Sequence, residues 1–219
     1  MAQASPKVVQ LEAKVVRGPN AERRAATRAK ILDAALACLL EHGYSGTTTL
    51  MVQHRAGVSR GSLLHQFPTK AALMVSVLHR ITRQTDRAYT TRMATSRDDR
   101  HRWELLVDVL WEELSKPTGF VRIQIMVAAY SEPEMMDRIG PYNAEMDKSY
   151  RDRIWGLAQR LGVKDRDGVD AAVSVFSAAV RGLALDLFYP RPTLDIDAAL
   201  DLIRRNHMAA LDRLLAPRP

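Results

Sequence analysis

One cysteine, four phenylalanines and an aromatic content of 6% leave little material for several kinds of chemistry in this 219-residue chain. Cys38 stands alone, which excludes an intramolecular disulfide and fits a reducing compartment. The first residues carry no apolar run after their basic ones, so no secretory leader is expected. Nor does any stretch approach the roughly 20 uninterrupted apolar residues of a membrane span, because Asp170, Arg181 and Asp186 punctuate the most apolar region. The expectation is a cytoplasmic protein with no membrane partner. The six histidines are dispersed and lack close Asp, Glu or His at ligand spacing, so neither a metal site nor a cofactor is expected. There is no phosphate-cradling glycine loop and no Gly-x-Ser-x-Gly elbow, and no residue is nominated as catalytic. Alternation with period two is never sustained, which excludes a sheet.

What the chain does have is positive charge, unevenly placed. Of the formal net charge of +7, residues 1–70 contribute +6, with 10 Lys and Arg against 4 Asp and Glu. Such an excess steers a protein toward a polyanion, DNA above all, although an anionic membrane surface obeys the same rule. Residues 1–24 include Pro6, Gly18, Pro19 and Asn20 without clear periodicity, and read as a flexible basic arm. Arg23, Arg24, Arg28 and Lys30 stand at the entrance to a helix in which Ile31, Leu32, Ala35 and Leu39 repeat at helical spacing until Gly43 ends it. Thr48 is placed to cap a second helix that turns Val52 and Ala56 inward. Met51 occupies the position where a capping box would put a carboxylate, which leaves that end open to phosphate.

The stretch AGVSRGSLLHQFPTK, from Ala56 to Lys70, organises everything else. Gly57 suits a left-handed turn, Ser59 caps a short helix, Pro68 stops that helix after about two turns, and Thr69 caps its successor. At about 100° per residue, Leu63 and Phe67 form the buried side of the short helix. Gly61, Ser62 and His65 point away, flanked by Arg60, Leu64 and Gln66. Arg60 and Lys70 each sit in a first helical turn against the helix dipole, at roughly 0.3–1 kcal/mol apiece, and phosphates near those N-termini reverse the sign. Gly61 inside a helix costs about 1 kcal/mol relative to alanine, which suits a backbone that another surface approaches closely.

These residues, taken with Ala29 to Ser59, carry a family resemblance. Ile31, Ala34 and Ala35, then Gly43 and Tyr44, Thr47 to Thr49, Ala56-Gly57-Val58-Ser59, and Gly61, Leu63, Phe67 and Lys70 resemble in order and spacing the helix-turn-helix domain of TetR-type transcriptional regulators. The family usually has Tyr, whose ring commonly reaches the DNA backbone, where this chain has Leu64. The resemblance implies an all-α protein. A three-helix DNA-binding domain would span residues 25–85, with the helix-turn-helix at 48–67, and a larger helical regulatory and dimerisation domain would span 86–219. It implies a sequence-specific regulator, a repressor that binds a palindromic double-stranded DNA operator as a homodimer and responds to a small hydrophobic ligand. The expected DNA-facing residues are Thr48, Ser59, Arg60, Gly61, Ser62, Leu64, His65, Gln66 and Lys70. Arg60, Ser62, His65 and Gln66 are assigned to base edges, and Thr48, Ser59 and Lys70 to phosphates. The alternatives from other classes are an all-helical enzyme acting on a hydrophobic small molecule and a non-specific DNA-compacting protein.

Beyond Lys70, a long helix through Leu73, Val77, Leu78 and Ile81 leads toward Tyr89, with Arg80, Arg83, Arg87 and Arg92 read as a solvated face. Amphipathic helices come next over Trp103–Leu114, Phe120–Tyr130 and Tyr142–Leu161, with Pro133 and Gly140-Pro141 bounding a short connecting piece before the last. The total comes to about nine or ten helices at typical lengths. Val169, Val173, Phe176, Val180, Leu183 and Leu187 repeat in the four-three pattern of helices packed nearly parallel, with Ala178, Ala179 and Gly182 allowing close approach. Pro190 and Pro192 force a turn before a final helix from Ile196 to Leu215. Pairing these two helices with their twofold copies makes Val173, Phe176, Val180, Leu183, Leu187, Ile203 and Leu211 the expected dimer interface. The middle of the chain is rich in large side chains, Tyr142 among them. Trp103, Trp111, Phe120, Met126, Tyr130, Trp155 and Phe176 are the candidate lining of an apolar ligand cavity.

Overall fold

A computed structural model of the protein describes residues 19–189 and 193–216. Among these residues the chain forms nine helices and no strand: α1 (Pro19–Gly46), α2 (Thr49–Ala56), α3 (Arg60–Gln66), α4 (Lys70–Ala94), α5 (Asp99–Leu114), α6 (Pro117–Ala129), α7 (Pro133–Arg160), α8 (Arg166–Asp186) and α9 (Ile196–Leu215). Most of the expected arm, residues 1–18, and the turn at Pro190 and Pro192 lie outside the described residues. Residues 19–24 belong to α1 rather than to an arm.

Local chemistry sets the helix starts. Thr48, Ser59, Thr69, Asp98, Asp165 and Asp195 each accept a backbone N–H in the first turn of the helix they precede. α6 and α7 instead begin on Pro117 and Pro133, where the missing N–H costs nothing. Gly43 breaks α1 with φ 67° and ψ −178°, a conformation that a side chain resists, and the helix then continues to Gly46. Thr47, buried beneath this break, donates from Oγ1 to the Gly43 carbonyl at 2.7 Å.

Two hydrophobic cores result. The first joins Ile31, Ala35, Leu39, Val52, Leu63, Phe67, Leu73 and Leu78 of α1–α4 to Val121 and Ile125 of α6 and to Met135 and Ile139 of α7. The second joins Trp103, Leu106 and Val107 of α5 to Ile154 and Leu157 of α7, to the inner face of α8, and to Leu200 and Leu211 of α9. α4 runs without a break through residue 85, so one rigid element serves both halves of the chain.

The region expected to be a connecting piece and a separate helix is one helix. α7 runs continuously from Pro133 to Arg160 with Pro141 inside it. Proline removes one i to i−4 hydrogen bond, at a cost of about 3 kcal/mol in an isolated helix. Here the flanking turns are pinned, Met135 and Ile139 in the first core and Ile154 and Leu157 in the second, so the helix persists across the defect. α8 is long and apolar enough to cross a membrane by length and composition alone, yet Val169, Val173, Phe176, Val180, Leu183 and Ala184 along one face are buried within the bundle.

Candidate nucleic-acid interface

The short helix α3 is held by what surrounds it. Gly57, at φ 62° and ψ 37°, ends α2 in the left-handed conformation, and its N–H and that of Val58 bond back to the His54 and Gln53 carbonyls. Ser59 caps Ser62 N–H at 3.2 Å. Leu63 and Phe67 drive the inner side into the first core. Arg28 lies over the Phe67 ring at 4.4 Å and donates to Ser76 at 3.0 Å, which clamps α1 and α4 across α3. Arg55 makes two 2.6 Å hydrogen bonds to Glu41 and fixes α2 to α1. That arginine is therefore occupied within the protein, unlike Arg60.

Most of the predicted DNA-facing residues lie at the surface of the molecule. Thr48, Ser59, Arg60, Gly61, Leu64 and His65 are exposed, while Ser62 and Gln66 are half-buried at its margin. Leu64 is 43% exposed. Gln66 Nε2 reaches the Arg24 carbonyl at 3.5 Å, which carries the surface toward exposed Arg23, Arg24 and Lys30 of α1. Gly61 is informative because a Cβ there would meet nothing within 4 Å among the described residues. Packing inside the chain therefore gives no reason for glycine at this position.

Electrostatics separate this end of the molecule from the other. α2, α3 and α4 have no acidic residue in their first turns and are capped by the neutral Thr48, Ser59 and Thr69. α5, α8 and α9 are capped by Asp98, Asp165 and Asp195 and each has a further Asp in the first turn. Carboxylates at helix N-termini neutralise the positive end of the dipole. Their omission leaves α2 with an N-terminus suited to an anion, whereas Glu134 of α7 already meets the Thr69 cap of α4.

Lys70 is placed differently from expectation. Its Nζ donates to the Tyr44 carbonyl at 3.1 Å and sits 4.4 Å from the centre of the Tyr44 ring. One ammonium donor of this half-buried lysine is thus engaged in fixing α4 to the end of α1. Sequence reading also passed over Leu50, 60% exposed near the start of α2. An apolar residue left outside on a short helix whose inward positions are already filled was the available signal.

A second set of contacts ties this domain to the rest of the chain. The turn at Gly43 presents Tyr44 to α6 and α7: its N–H donates to Gln124 Oε1 at 2.9 Å, and its hydroxyl donates to Glu132 Oε1 at 2.6 Å. Burial first, and Glu132 next, push the Tyr44 phenol well above its usual pKa, so it remains a donor. Thr69, which caps α4, also donates to Glu134 Oε1 at 2.8 Å. Gln124, Glu132 and Glu134 had no sequence signal, because their partners lie 65 or more residues away.

The seven residues proposed to line a ligand cavity do not converge. Trp103 and Phe176 are buried in the second core, stacked on and edge-on to His207 with ring centroids 5.0 and 4.6 Å away. Phe120 stacks on Phe188 at 4.2 Å, and Tyr130 is 87% exposed. Trp111 and Trp155 are half-buried against the second core, and Met126 is exposed. The expected dimer residues need correction too. Val173, Phe176, Val180, Leu183 and Leu211 are buried inside a single chain, so the four-three seam is internal packing and cannot be offered to a partner. Leu187 is exposed and Ile203 half-buried. The outward side of α8 is a different stripe, Val175, Ala178, Ala179, Gly182 and Leu185, with Val175 71% exposed. Beside it, Ala171, Val175, Ala179, Asn206, Ala210 and Arg213 border a groove of about 500 Å³ between α8 and α9.

Comparison with known proteins agrees with this arrangement. Residues 31–77, from the middle of α1 into α4, match the family of bacterial regulatory proteins, tetR family. The chain is 29% identical over 170 residues to the HTH-type transcriptional regulator CymR of Pseudomonas putida, covering 77% of this chain and 83% of that one. It is 27% identical over 186 residues to the HTH-type transcriptional repressor Rv1474c of Mycobacterium tuberculosis, covering 83% and 93%. A transcriptional regulator from Saccharomonospora viridis, solved in complex with choline, superposes with a TM-score of 0.67 at 21% identity over 83% of this chain and 95% of that chain, and shares the fold. With the helix-turn-helix and the helical domain behind it, these likenesses support a DNA-binding transcriptional regulator of the TetR family.

Proposed function

We propose that the protein is a cytoplasmic, ligand-responsive repressor that occupies a palindromic operator as a homodimer. The observation that carries the DNA reading is the outer face of α3. Gly61 is unneeded by internal packing, and beside it Arg60 and His65 are exposed with no carboxylate in the first turn. A helix entering the major groove needs such a face: a backbone that approaches closely and donors that reach base edges. Arg60, Ser62, His65 and Gln66 are assigned to bases. Thr48 and Ser59, with the N-terminus of α2, are assigned to phosphates, and Leu64 supplies an apolar contact. Names of relatives support repression, and the comparisons favour neither a helical enzyme nor a compacting protein.

Dimerisation is assigned to the exposed stripe of α8 with the adjoining face of α9. Small residues at Ala178, Ala179 and Gly182 permit close helix approach, and a twofold copy would cover Val175 and Leu185. Ligand response is assigned to the contacts around Tyr44. Gln124 of α6 holds its N–H, Glu132 just before α7 holds its hydroxyl, and Glu134 in the first turn of α7 holds the cap of α4. A shift of α6 and α7 therefore tilts α1–α4 as a unit. A ligand that prefers the tilted form displaces the protein from DNA by no more than its differential affinity for the two forms. Binding-site selection from random duplexes tests the first step. An enriched motif with twofold symmetry is expected, and recovery of no motif would refute specific regulation.

A further inference from the structure

Beside the first hydrophobic core, polar side chains of α4 and α7 are left without partners among the described residues. Tyr142 follows Pro141 on α7 and packs against His79 of α4, with ring centroids 3.7 Å apart and the planes tilted by 33°. The Tyr142 hydroxyl and His79 Nε2 are both buried, and neither has a hydrogen-bond partner among the described residues. Buried polar atoms are ordinarily satisfied, and leaving two adjacent ones unmet is costly. Arg122 of α6, half-buried, lies within electrostatic range of both Tyr142 and Arg181 of α8. Neither Arg122 nor Arg181 makes an ion pair or a hydrogen bond among the described residues. Arg122 differs in this from the other half-buried arginines, since Arg80, Arg102, Arg151 and Arg204 are each met by an aspartate within 2.8 Å. Burial, and then Arg181, push the Arg122 pKa down, the signature of a cation lacking its counter-charge.

We propose that Arg122, Tyr142 and His79 form the recognition end of a ligand site between α4, α6 and α7, for a small apolar molecule bearing one carboxylate. The donors fit that group: a guanidinium pairs with a carboxylate through two parallel N–H bonds, and a phenol O–H adds a third. His79 is neutral at pH 7 because burial, and then Arg83 and Arg28, lower its pKa, so its Nε2 can carry a further N–H. The packed rings, with Leu78, Val121 and Ile139 of the first core next to His79, Arg122 and Tyr142 on their helices, call for an apolar body behind the charge. Choline, bound by the structural neighbour, is a cation that two unpaired arginines would repel. The identification rests on the ligand-responsive function proposed for the chain and supplies its chemistry. Pro141 leaves the Asp137 carbonyl without its helical N–H, so α7 bends most easily beside Tyr142. The same helix begins at the residues that hold Tyr44 and Thr69.

The test uses the full chain, with benzoate and octanoate as probes, benzamide and octanamide as matched neutral compounds, and choline as a cation. Both carboxylates should raise the Tm of the wild type, and the other three should not. Arg122→Met should raise the Tm of the unliganded protein, because it removes an unpaired charge, and should weaken carboxylate binding about tenfold or more. Tyr142→Phe should weaken it several-fold and leave the fold intact. Equal shifts from acid and amide, no shift from either acid, a carboxylate response surviving Arg122→Met, or a lower Tm for Arg122→Met would each overturn the proposal. Operator release is monitored separately by fluorescence anisotropy. Carboxylate binding without release would leave the site standing and defeat the ligand-responsive reading.

Discussion

His207 gives a stability prediction that can be worked through in numbers. The imidazole is 3% exposed, stacked flat on Trp103 at 5.0 Å and edge-on to Phe176 at 4.6 Å. Its Nε2 lies 2.8 Å from the Trp103 carbonyl, the contact of an N–H donor, and Nδ1 has no partner among the described residues. Burial, opposed only by that hydrogen bond, lowers its pKa from 6.5 to about 4. Between those values the unfolded chain binds the proton and the folded chain does not. The stabilisation is therefore complete above pH 6.5 and is lost as pH falls toward 4. From pH 7.5 to 5.0 the loss comes to about 2 kcal/mol by linkage. In a domain of this size that is a fall of roughly 4–8 °C in Tm. Glu41, Asp99 and Asp152, held below their usual range first by Arg55, Arg160 and Lys148, add losses of the same sign, but only at lower pH. His207→Gln keeps a donor for the Trp103 carbonyl and cannot titrate in this range. Scanning calorimetry on both proteins at the two pH values isolates the effect, since His79 is common to both. An equal fall in Tm for wild type and variant, or a titration of His207 near 6.5 by NMR, would refute the reasoning.

Other perturbations address the functional assignments. Gly61→Ala should stabilise the free protein by about 1 kcal/mol, since nothing in the chain obstructs a methyl group there, while weakening operator binding in a gel-shift assay. Tyr44→Phe removes a 2.6 Å hydrogen bond to half-buried Glu132 and should cost about 1 kcal/mol after allowance for partial exposure. Hydrogen exchange should quicken at the end of α1. Charging the outward stripe with Val175→Arg and Gly182→Arg should give a folded monomer by light scattering and circular dichroism. Val180→Arg, at a fully buried site, should instead unfold the chain.

The recognition domain was legible in the sequence because its information is local. Gly57, Ser59, Thr48 and Thr69 act on backbone groups within three or four residues, and their spacing dictates the turn and the caps. The seam of Val169, Val173, Phe176, Val180 and Leu183 was equally legible as a buried helix face. Which surface it faced was not, since the pattern is the same for packing inside a chain and between chains. The apparent break at Gly140-Pro141 misled for a related reason. A proline signal is local, whereas the packing that carries α7 across it comes from two cores assembled from distant helices. Lys70 turned inward because the Tyr44 carbonyl and ring, 26 residues earlier, compete for its charge. Bulky residues in the middle of the chain were expected to share one cavity. Their number says nothing about direction, and Trp103 and Tyr130 ended at opposite extremes of exposure.

The central claim is that α3 reads bases and that Arg60 is one of its readers. Its most direct measurement compares wild type with Arg60→Ala on a selected operator and on every single-base variant of one half-site, by fluorescence anisotropy at fixed salt. A bidentate contact to guanine predicts a loss of about 1–3 kcal/mol on the cognate site, with discrimination abolished at one base pair per half-site and retained elsewhere. Uniform weakening across all variants would show that Arg60 meets only phosphate. Unchanged affinity and an unchanged preference at every position would contradict the assignment of this helix to the groove.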